Sequence, residues 1–150
     1  MGVKPICNYH HKFEYTYLFG AFSPITGKSF MLDLPFCNAA TFQIFLNEFS
    51  LENPKEFKII FLDNGAFHKA KGLIIPENIC LYFLPPYSPE LNPAEKVWWV
   101  LKKETNLKVF KTIEALQRHV DKSIKKLLSE KAIVKLTSYK TYVRNYQTIM

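Results

Sequence analysis

The sequence has 150 residues, of which 48% are hydrophobic and 22% are charged, and its formal net charge is +7 at pH 7. This size and composition fit one globular domain and exclude a chain that is disordered as a whole. No stretch approaches the ~18 uninterrupted apolar residues of a membrane-spanning helix, so we expect no association with a membrane.

The first third of the chain predicts two antiparallel strands followed by a helix. The aromatic stretch at 13–22 is typical of a strand, turn residues follow it, and residues 28–34 predict a second strand. Asn38 can cap a helix whose apolar residues recur at helical spacing and which ends at Asn53.

The middle of the chain alternates strands with helical turns. The apolar runs at 57–62 and 79–84 predict strands, and residues 68–73 between them predict a short amphipathic turn. This alternation indicates parallel pairing, and strands this apolar are expected to be covered on both faces. The predicted fold class is therefore α/β, with a mixed sheet flanked by helices.

Helices dominate the remainder of the chain. The proline-rich loop at 85–89 ends the last strand, and helices are predicted at 93–104 and 112–129, with a poorly defined end from residue 131. Residues 96–150 carry 13 basic against 4 acidic residues, a net +9, whereas residues 1–95 carry 7 against 9, a net −2. The basic part favours a polyanionic partner, and a solvated lysine-rich helix face explains the charge equally well.

The cysteines indicate the redox environment. Cys7, Cys37 and Cys80 are too few and too scattered for a disulfide framework or a metal-binding knuckle. Reduced thiols fit better, so we expect a cytoplasmic protein.

Two acidic residues stand out by their positions. Asp63 follows a buried strand, where the functional groups of open α/β sheets gather, and Glu95 lies in the first turn of a helix. Brought to one sheet edge, the two carboxylates would suit Mg²⁺ or Mn²⁺ and phosphoryl-transfer chemistry. Taken singly, Asp63 also fits a turn before Gly65, and Glu95 fits a capping box with Asn92.

The residue sequence around the two acids is a more specific signal than the spacing between them. The chain contains LPPYSPELNPAE at 84–95, DNGAFHK at 63–69, and then Trp98 and Lys102. These strings closely resemble the mariner-like insertion-sequence transposases of the DDE superfamily, and residues 20–27 resemble the strand–turn–strand of that family. The resemblance covers nearly the whole chain. It implies an RNase H-like fold and DNA transposition by a nuclease and strand transferase that acts on transposon ends.

In that family three acids hold two Mg²⁺ (or Mn²⁺) ions, which activate the attacking oxygen and stabilise the leaving oxygen. Asp63 matches the second acid and Glu95 the third, both as catalytic metal ligands. The first acid lies on a central strand upstream of a segment resembling residues 2–5, and neither Asp33 nor Asp121 matches its motif.

No residue of this sequence matches the first acid of the family, and this determines what we expect of the whole chain. We expect residues 1–150 to form one N-terminally truncated catalytic domain without its central strand or helix-turn-helix region, inactive alone. An upstream chain would then supply the first aspartate, and a homodimer is a further option. The alternatives are a non-catalytic nucleic-acid-binding or transposase-interacting remnant, and an inert product.

Further side chains are candidates for contacts with DNA. His68 matches the family's histidine and would orient the site, approach DNA or stabilise a local turn. The loop bearing Tyr87 and Ser88 would contact DNA or act as a rigid connector. Lysines on either side would contact phosphates in a salt-dependent, sequence-independent way; they include Lys69, Lys102 and Lys103. Trp98 and Trp99 follow Glu95 by three and four residues, and the tryptophan on the inner face of the helix is expected to pack in the core.

Overall fold

The computed structural model describes residues 14–139, so the pair His10-His11 lies outside the described residues. The fold is mixed α/β, as the sequence predicts. The strands are β1 (Tyr17–Phe22), β2 (Ser29–Leu34), β3 (Lys58–Leu62) and β4 (Ile79–Phe83). The α-helices are α1 (Ala39–Leu51), α2 (Ala94–Thr105), α3 (Ile113–Leu127) and α4 (Glu130–Thr137), with short 3₁₀ turns at Ala66–Lys69 and Pro89–Leu91.

The strands form two separate two-stranded sheets. β1 and β2 pair antiparallel, with Tyr17 opposite Leu34, whereas β3 and β4 pair parallel, with Leu62 opposite Phe83. Across residues 14–139 no described strand joins the two sheets by hydrogen bonds. The predicted single mixed sheet is not seen within residues 14–139, where the antiparallel and the parallel pairs form separate sheets.

Helix α1 packs both sheets around one core. Phe42, Phe45 and Leu46 are almost completely buried on one side of the helix, where they meet Leu62 of β3 and Ile79 of β4. Side chains of β1 and β2 pack against the same cluster, including Phe19, whose ring centroid lies 5.8 Å from that of Phe45. The helical spacing of phenylalanines in the sequence therefore corresponds to the face that holds the two sheets together.

The start of α1 is fixed by the capping box that Asn38 forms with Thr41. The Asn38 side chain accepts a hydrogen bond from the Thr41 amide at 3.0 Å, and the Thr41 hydroxyl accepts one from the Asn38 amide at 3.1 Å. Two amides at the helix start that would otherwise lack partners are thereby satisfied. The predicted cap is confirmed.

Removing this cap should destabilise the domain measurably. We expect Asn38→Ala to lower the free energy of unfolding by about 1 kcal/mol, because the Thr41 amide loses its acceptor. The measurement is a urea unfolding curve. Asn38→Ser, which keeps an acceptor oxygen, should lose less than the alanine variant, and equal midpoints for the wild type and Asn38→Ala would contradict the role of the cap.

Helix α2 forms a second apolar cluster with α3 and α4. Val97 and Leu101 are buried on α2, against Leu128 and Ile133. Trp98 packs against β1, with its ring centroid 5.2 Å from that of Phe22 in an edge-to-face arrangement. The expected core tryptophan of this helix is therefore Trp98, whereas Trp99 is 58% exposed.

The C-terminal part of the described chain is better ordered than the sequence predicts. The expectation of a poorly defined end from residue 131 is wrong over 131–137, because Ser129 caps α4 through the Ala132 amide and Ile133 and Thr137 are buried. α4 also touches the turn between β1 and β2. Gly27 in that turn has a φ of +75° and lies directly against the backbone of Glu130.

One face of the parallel sheet is open to solvent within residues 14–139. Ile59 and Phe61 of β3 and Tyr82 of β4 are 59%, 44% and 57% exposed. The expectation that these strands are covered on both faces is therefore wrong for the described residues. The reason is that α1 covers only the opposite face, whereas α2 packs against β1 instead. Among the helices found in residues 14–139, none is both long enough and apolar enough to cross a bilayer.

Candidate functional site

Asp63 lies at the carboxyl end of β3, where the two parallel strands are held side by side. The Leu84 amide donates to the Leu62 carbonyl at 2.8 Å, which extends the pairing one residue beyond β4. The Asn64 side-chain amide donates to the Leu84 carbonyl. The two strand ends are therefore joined on either side of Asp63, and the backbone that carries its carboxylate is fixed.

The Asp63 carboxylate is oriented by its own turn. Its Oδ1 accepts a hydrogen bond from the Gly65 amide at 2.9 Å and lies 3.0 Å from Nδ1 of His68. The His68 ring packs between Phe42 and Phe67, with centroids 4.6 Å and 4.1 Å away, and its side chain is only 15% exposed. One Asp63 oxygen is thus engaged within the protein, while the side chain as a whole stays 65% exposed.

Glu95 lies in the first turn of α2. Asn92 starts this helix, since its side chain accepts from the Ala94 amide and its carbonyl accepts from the Glu95 amide, both at 3.2 Å. The helix begins at Ala94, and the capping box that the sequence suggested for Glu95 does not form. Within residues 14–139 the exposed Glu95 carboxylate has no hydrogen-bond or ion-pair partner, so its oxygens are free to meet a ligand.

The loop between β4 and α2 holds its shape through short-range hydrogen bonds. The Ser88 hydroxyl donates to the Pro86 carbonyl at 3.3 Å, and the Leu91 amide donates to the Ser88 carbonyl at 3.0 Å. Tyr87, at the tip, has a left-handed φ of +56° and a fully exposed side chain. The structure therefore supports the rigid-connector interpretation of this loop, and it leaves Tyr87 facing solvent.

A cleft of about 390 Å³ brings these elements together. Of the candidate residues, Asp63, Glu95, Tyr87 and Ser88 all line it. The rest of its wall is formed by Asn64, Leu84, Pro85, Pro86 and Asn92. The two asparagines were not among the predicted site residues, although each lies within three residues of one of the two acids in the quoted strings.

Comparison with known proteins identifies the family of the chain. Residues 3–117, most of the chain, match the family described as DDE superfamily endonuclease. The chain belongs to this family. An uncharacterized protein, y4pE/y4sA of Sinorhizobium fredii (strain NBRC 101917 / NGR234), is 34% identical over 118 residues, covering 77% of this chain and 87% of the relative. No solved structure matches the chain.

Membership of a DDE endonuclease family gives the cleft a chemical context. The family implies DNA as the substrate class and a transposase-like nuclease function, and its members generally use divalent metal ions. The α/β architecture is compatible with the RNase H-like fold of such enzymes.

The remaining candidates lie outside the cleft of this DDE endonuclease. The Lys69 ammonium lies over the Phe83 ring, 5.0 Å from its centroid, in a larger cavity of about 680 Å³ whose lining includes the carboxylate of Glu77 but neither Asp63 nor Glu95. Lys102 and Lys103 occupy the last turn of α2. The Lys103 ammonium lies 3.7 Å from the centroid of the exposed Trp99 ring.

The side chains of the cleft suit one hard cation better than two. Carboxylate oxygens are the ligands that Mg²⁺ prefers, and Asp63 and Glu95 would hold one ion whose coordination water completes. Between residues 14 and 139, no group of three His, Cys, Asp or Glu side chains is close enough together to hold a metal ion. All 13 acidic residues of the sequence fall in that range. The two-ion arrangement therefore does not fit the described residues alone.

The other two aspartates are engaged elsewhere. Asp33 of β2 accepts a hydrogen bond from the Thr16 hydroxyl, and Asp121 is exposed on α3. Neither lines the cleft with Asp63 and Glu95.

Proposed function

We propose that the chain is the catalytic part of a mariner-like insertion-sequence transposase that cuts and transfers DNA strands at transposon ends. The observation that carries the proposal is a cleft lined by both Asp63 and Glu95, in a chain that belongs to the DDE endonucleases. The Asp63 carboxylate is oriented by a turn, and the Glu95 carboxylate, on a separate element, has no partner among the described residues. A cation could bind to both of them.

Asp63 and Glu95 are the proposed metal ligands. When bound, Mg²⁺ (or Mn²⁺) would activate an attacking oxygen and neutralise charge on the leaving oxygen. His68 is a positioning residue, because it is wedged between two phenylalanine rings and holds one oxygen of Asp63. Asn64 fixes the backbone of the same ligand through Leu84.

The proposed path for DNA runs past the loop and the lysines of α2. Tyr87 and Ser88 line the cleft and would contact the strand nearest the metal. Exposed lysines flank this path and would contact phosphates; they are Lys69, Lys102 and Lys103. Because these contacts are electrostatic, the affinity for duplex DNA should fall as the salt concentration rises.

We propose that a third carboxylate comes from an aspartate on a further strand, supplied by an upstream segment or chain, because among the described acidic residues only Asp63 and Glu95 line the cleft. The 150 residues alone are then inactive in strand cleavage, and a homodimer would bring two incomplete sites together.

A metal-binding measurement tests the proposal on the chain alone. We expect the chain to bind Mn²⁺ weakly, as followed by electron paramagnetic resonance. Asp63→Asn and Glu95→Gln should each raise the dissociation constant for Mn²⁺ by more than about tenfold. Losing a residue that only supports a metal ligand already weakens binding by about tenfold or more, and losing the ligand itself should weaken it further.

The matched control for this measurement is Glu90→Gln. Glu90 is an exposed glutamate five residues before Glu95 and does not line the cleft. The Glu90→Gln variant should therefore bind Mn²⁺ with the same affinity as the wild type. Unchanged binding in both Asp63→Asn and Glu95→Gln would rule out the metal role of the cleft.

A non-catalytic nucleic-acid-binding or transposase-interacting protein is the second candidate, favoured by the net +9 of residues 96–150. The double substitution of Asp63 and Glu95 by alanine separates the two. Under the second candidate DNA binding is the whole function and barely changes, whereas under the first the completed enzyme loses cleavage.

A further inference from the structure

Tyr87 combines two features that the stability of the fold does not account for. Its side chain is fully exposed, at 102%, so folding buries none of its ring. Its backbone has a φ of +56°, a region that large side chains rarely adopt because the β-carbon approaches the neighbouring carbonyl. Strained backbone of this kind gathers at functional sites, where the surrounding structure holds it in place.

Tyr87 is one of the residues that line the cleft, and its exposed ring is accessible to a ligand there. Tyr87 lines the same cleft as Asp63 and Glu95, between Pro86 and Ser88. The hydrogen bond from the Ser88 hydroxyl to the Pro86 carbonyl closes the loop around it, so little backbone freedom is lost when the ring meets a partner.

The electrostatics of the cleft decide which part of DNA the ring can meet. Among the described residues that line the cleft, the charged side chains are the carboxylates of Asp63 and Glu95, with no lysine, arginine or histidine. In the absence of a bound cation such a wall repels phosphate groups. The neutral face of a nucleobase carries no such penalty, and base–aromatic stacking tolerates any base.

We infer that Tyr87 stacks on an unpaired nucleobase at a DNA end held in this cleft. The inference rests on the proposed function and extends it, because it names a frayed or single-stranded end as the bound form. Inside an intact duplex both faces of each base are covered by neighbouring bases, so a ring on a protruding loop can stack only on a terminal or unpaired base.

The test compares DNA ends that differ only in their bases. The full 150-residue chain is titrated, by fluorescence anisotropy, with a duplex that carries a three-nucleotide overhang and with the same duplex whose overhang is abasic. We expect the wild type to bind the base-bearing overhang roughly tenfold more tightly. Replacing one overhang base by 2-aminopurine should give a fluorescence change on binding that reports the stacking directly.

Three variants at Tyr87 separate the ring from the backbone. Tyr87→Phe keeps the ring and should keep the preference, whereas Tyr87→Ala should lose it. Tyr87→Gly removes the ring and also relieves the left-handed backbone, so it should lose the preference with no loss of thermal stability. A wild type that does not distinguish the two overhangs, or a Tyr87→Ala variant that still prefers the bases, overturns the inference.

These outcomes remain separable from those of the proposed function. If the stacking fails, Mn²⁺ binding by Asp63 and Glu95 still stands or falls by its own measurement. If the chain prefers the base-bearing overhang but binds no Mn²⁺, the role of Tyr87 is kept and the metal-dependent function is lost.

Discussion

If a strand and an aspartate are supplied as proposed, the chain should become an Mg²⁺-dependent nuclease, and Asp63→Asn should then slow cleavage about a thousandfold. The size of the effect follows from the several kcal/mol of transition-state charge that a metal ion stabilises, since each 1.36 kcal/mol is a factor of ten in rate. The measurement is nicking of a supercoiled plasmid by residues 1–150 co-expressed with the polypeptide encoded directly upstream of Met1.

The control for this experiment is the same substitution at an aspartate outside the cleft. Asp121→Asn changes an exposed side chain on α3, so it should cleave at the wild-type rate. If the 150 residues cleave DNA alone and Asp63→Asn abolishes this, the need for a third acid from elsewhere is refuted. If the completed protein cleaves equally well with Asp63→Asn, the metal role of Asp63 is refuted.

The largest expected effect on stability is that of Gly27→Ala. The new β-carbon would strain a backbone at φ +75° and would overlap the backbone of Glu130 at the start of α4. We expect the free energy of unfolding to fall by about 3 kcal/mol, as the sum of a left-handed backbone penalty and overpacking against a neighbour that cannot rotate away. Thermal and urea unfolding would measure this loss.

Gly72→Ala is the matched control for Gly27→Ala. Nothing lies within 4 Å of a β-carbon built on Gly72, so the same chemical change has no neighbour to displace. This variant should be neutral or more stable by up to about 1 kcal/mol, because the unfolded chain loses freedom. Equal losses for the two variants would show that the contact between the β1–β2 turn and α4 does not stabilise the protein.

Much of the local structure can be predicted from the sequence because local chemistry determines it. Asn38 caps α1 as expected, since a side-chain acceptor three residues before a backbone amide needs no distant partner. A tryptophan one turn after Glu95 was expected in the core, and the structure shows that it is Trp98 rather than Trp99. Such features depend on neighbours within about one helical turn.

The errors concern features that depend on packing between distant segments. Ile59 and Phe61 are as apolar as buried strand residues, and nothing in their own sequence tells which face a helix will cover. The order of α4 depends on Ile133 meeting α2, which lies some thirty residues earlier in the chain. The hydrophobic pattern of a sequence predicts that a residue will be buried. Which segment covers it depends on the tertiary arrangement.

The candidate site was likewise predicted from the sequence only in part. Asp63 and Glu95 were predicted as a pair through their motifs, and the structure places both in one cleft. The contact between His68 and Asp63 depends on a 3₁₀ turn at 66–69 that the sequence suggested only as a short amphipathic turn. The left-handed backbone of Tyr87 has no sequence signal, because a proline restricts its own φ and the residue before it rather than the residue after it.

The division of the strands into two sheets has a consequence for ion selectivity. Asp63 belongs to the parallel sheet, whereas Glu95 sits on a helix that packs against the antiparallel sheet through Trp98. If the cleft holds a cation as proposed, the spacing of the two carboxylates should depend in part on how the phenylalanines of α1 pack between the sheets. Because Mg²⁺ demands near-ideal octahedral geometry and larger cations do not, changes in that apolar packing should then alter the choice of ion.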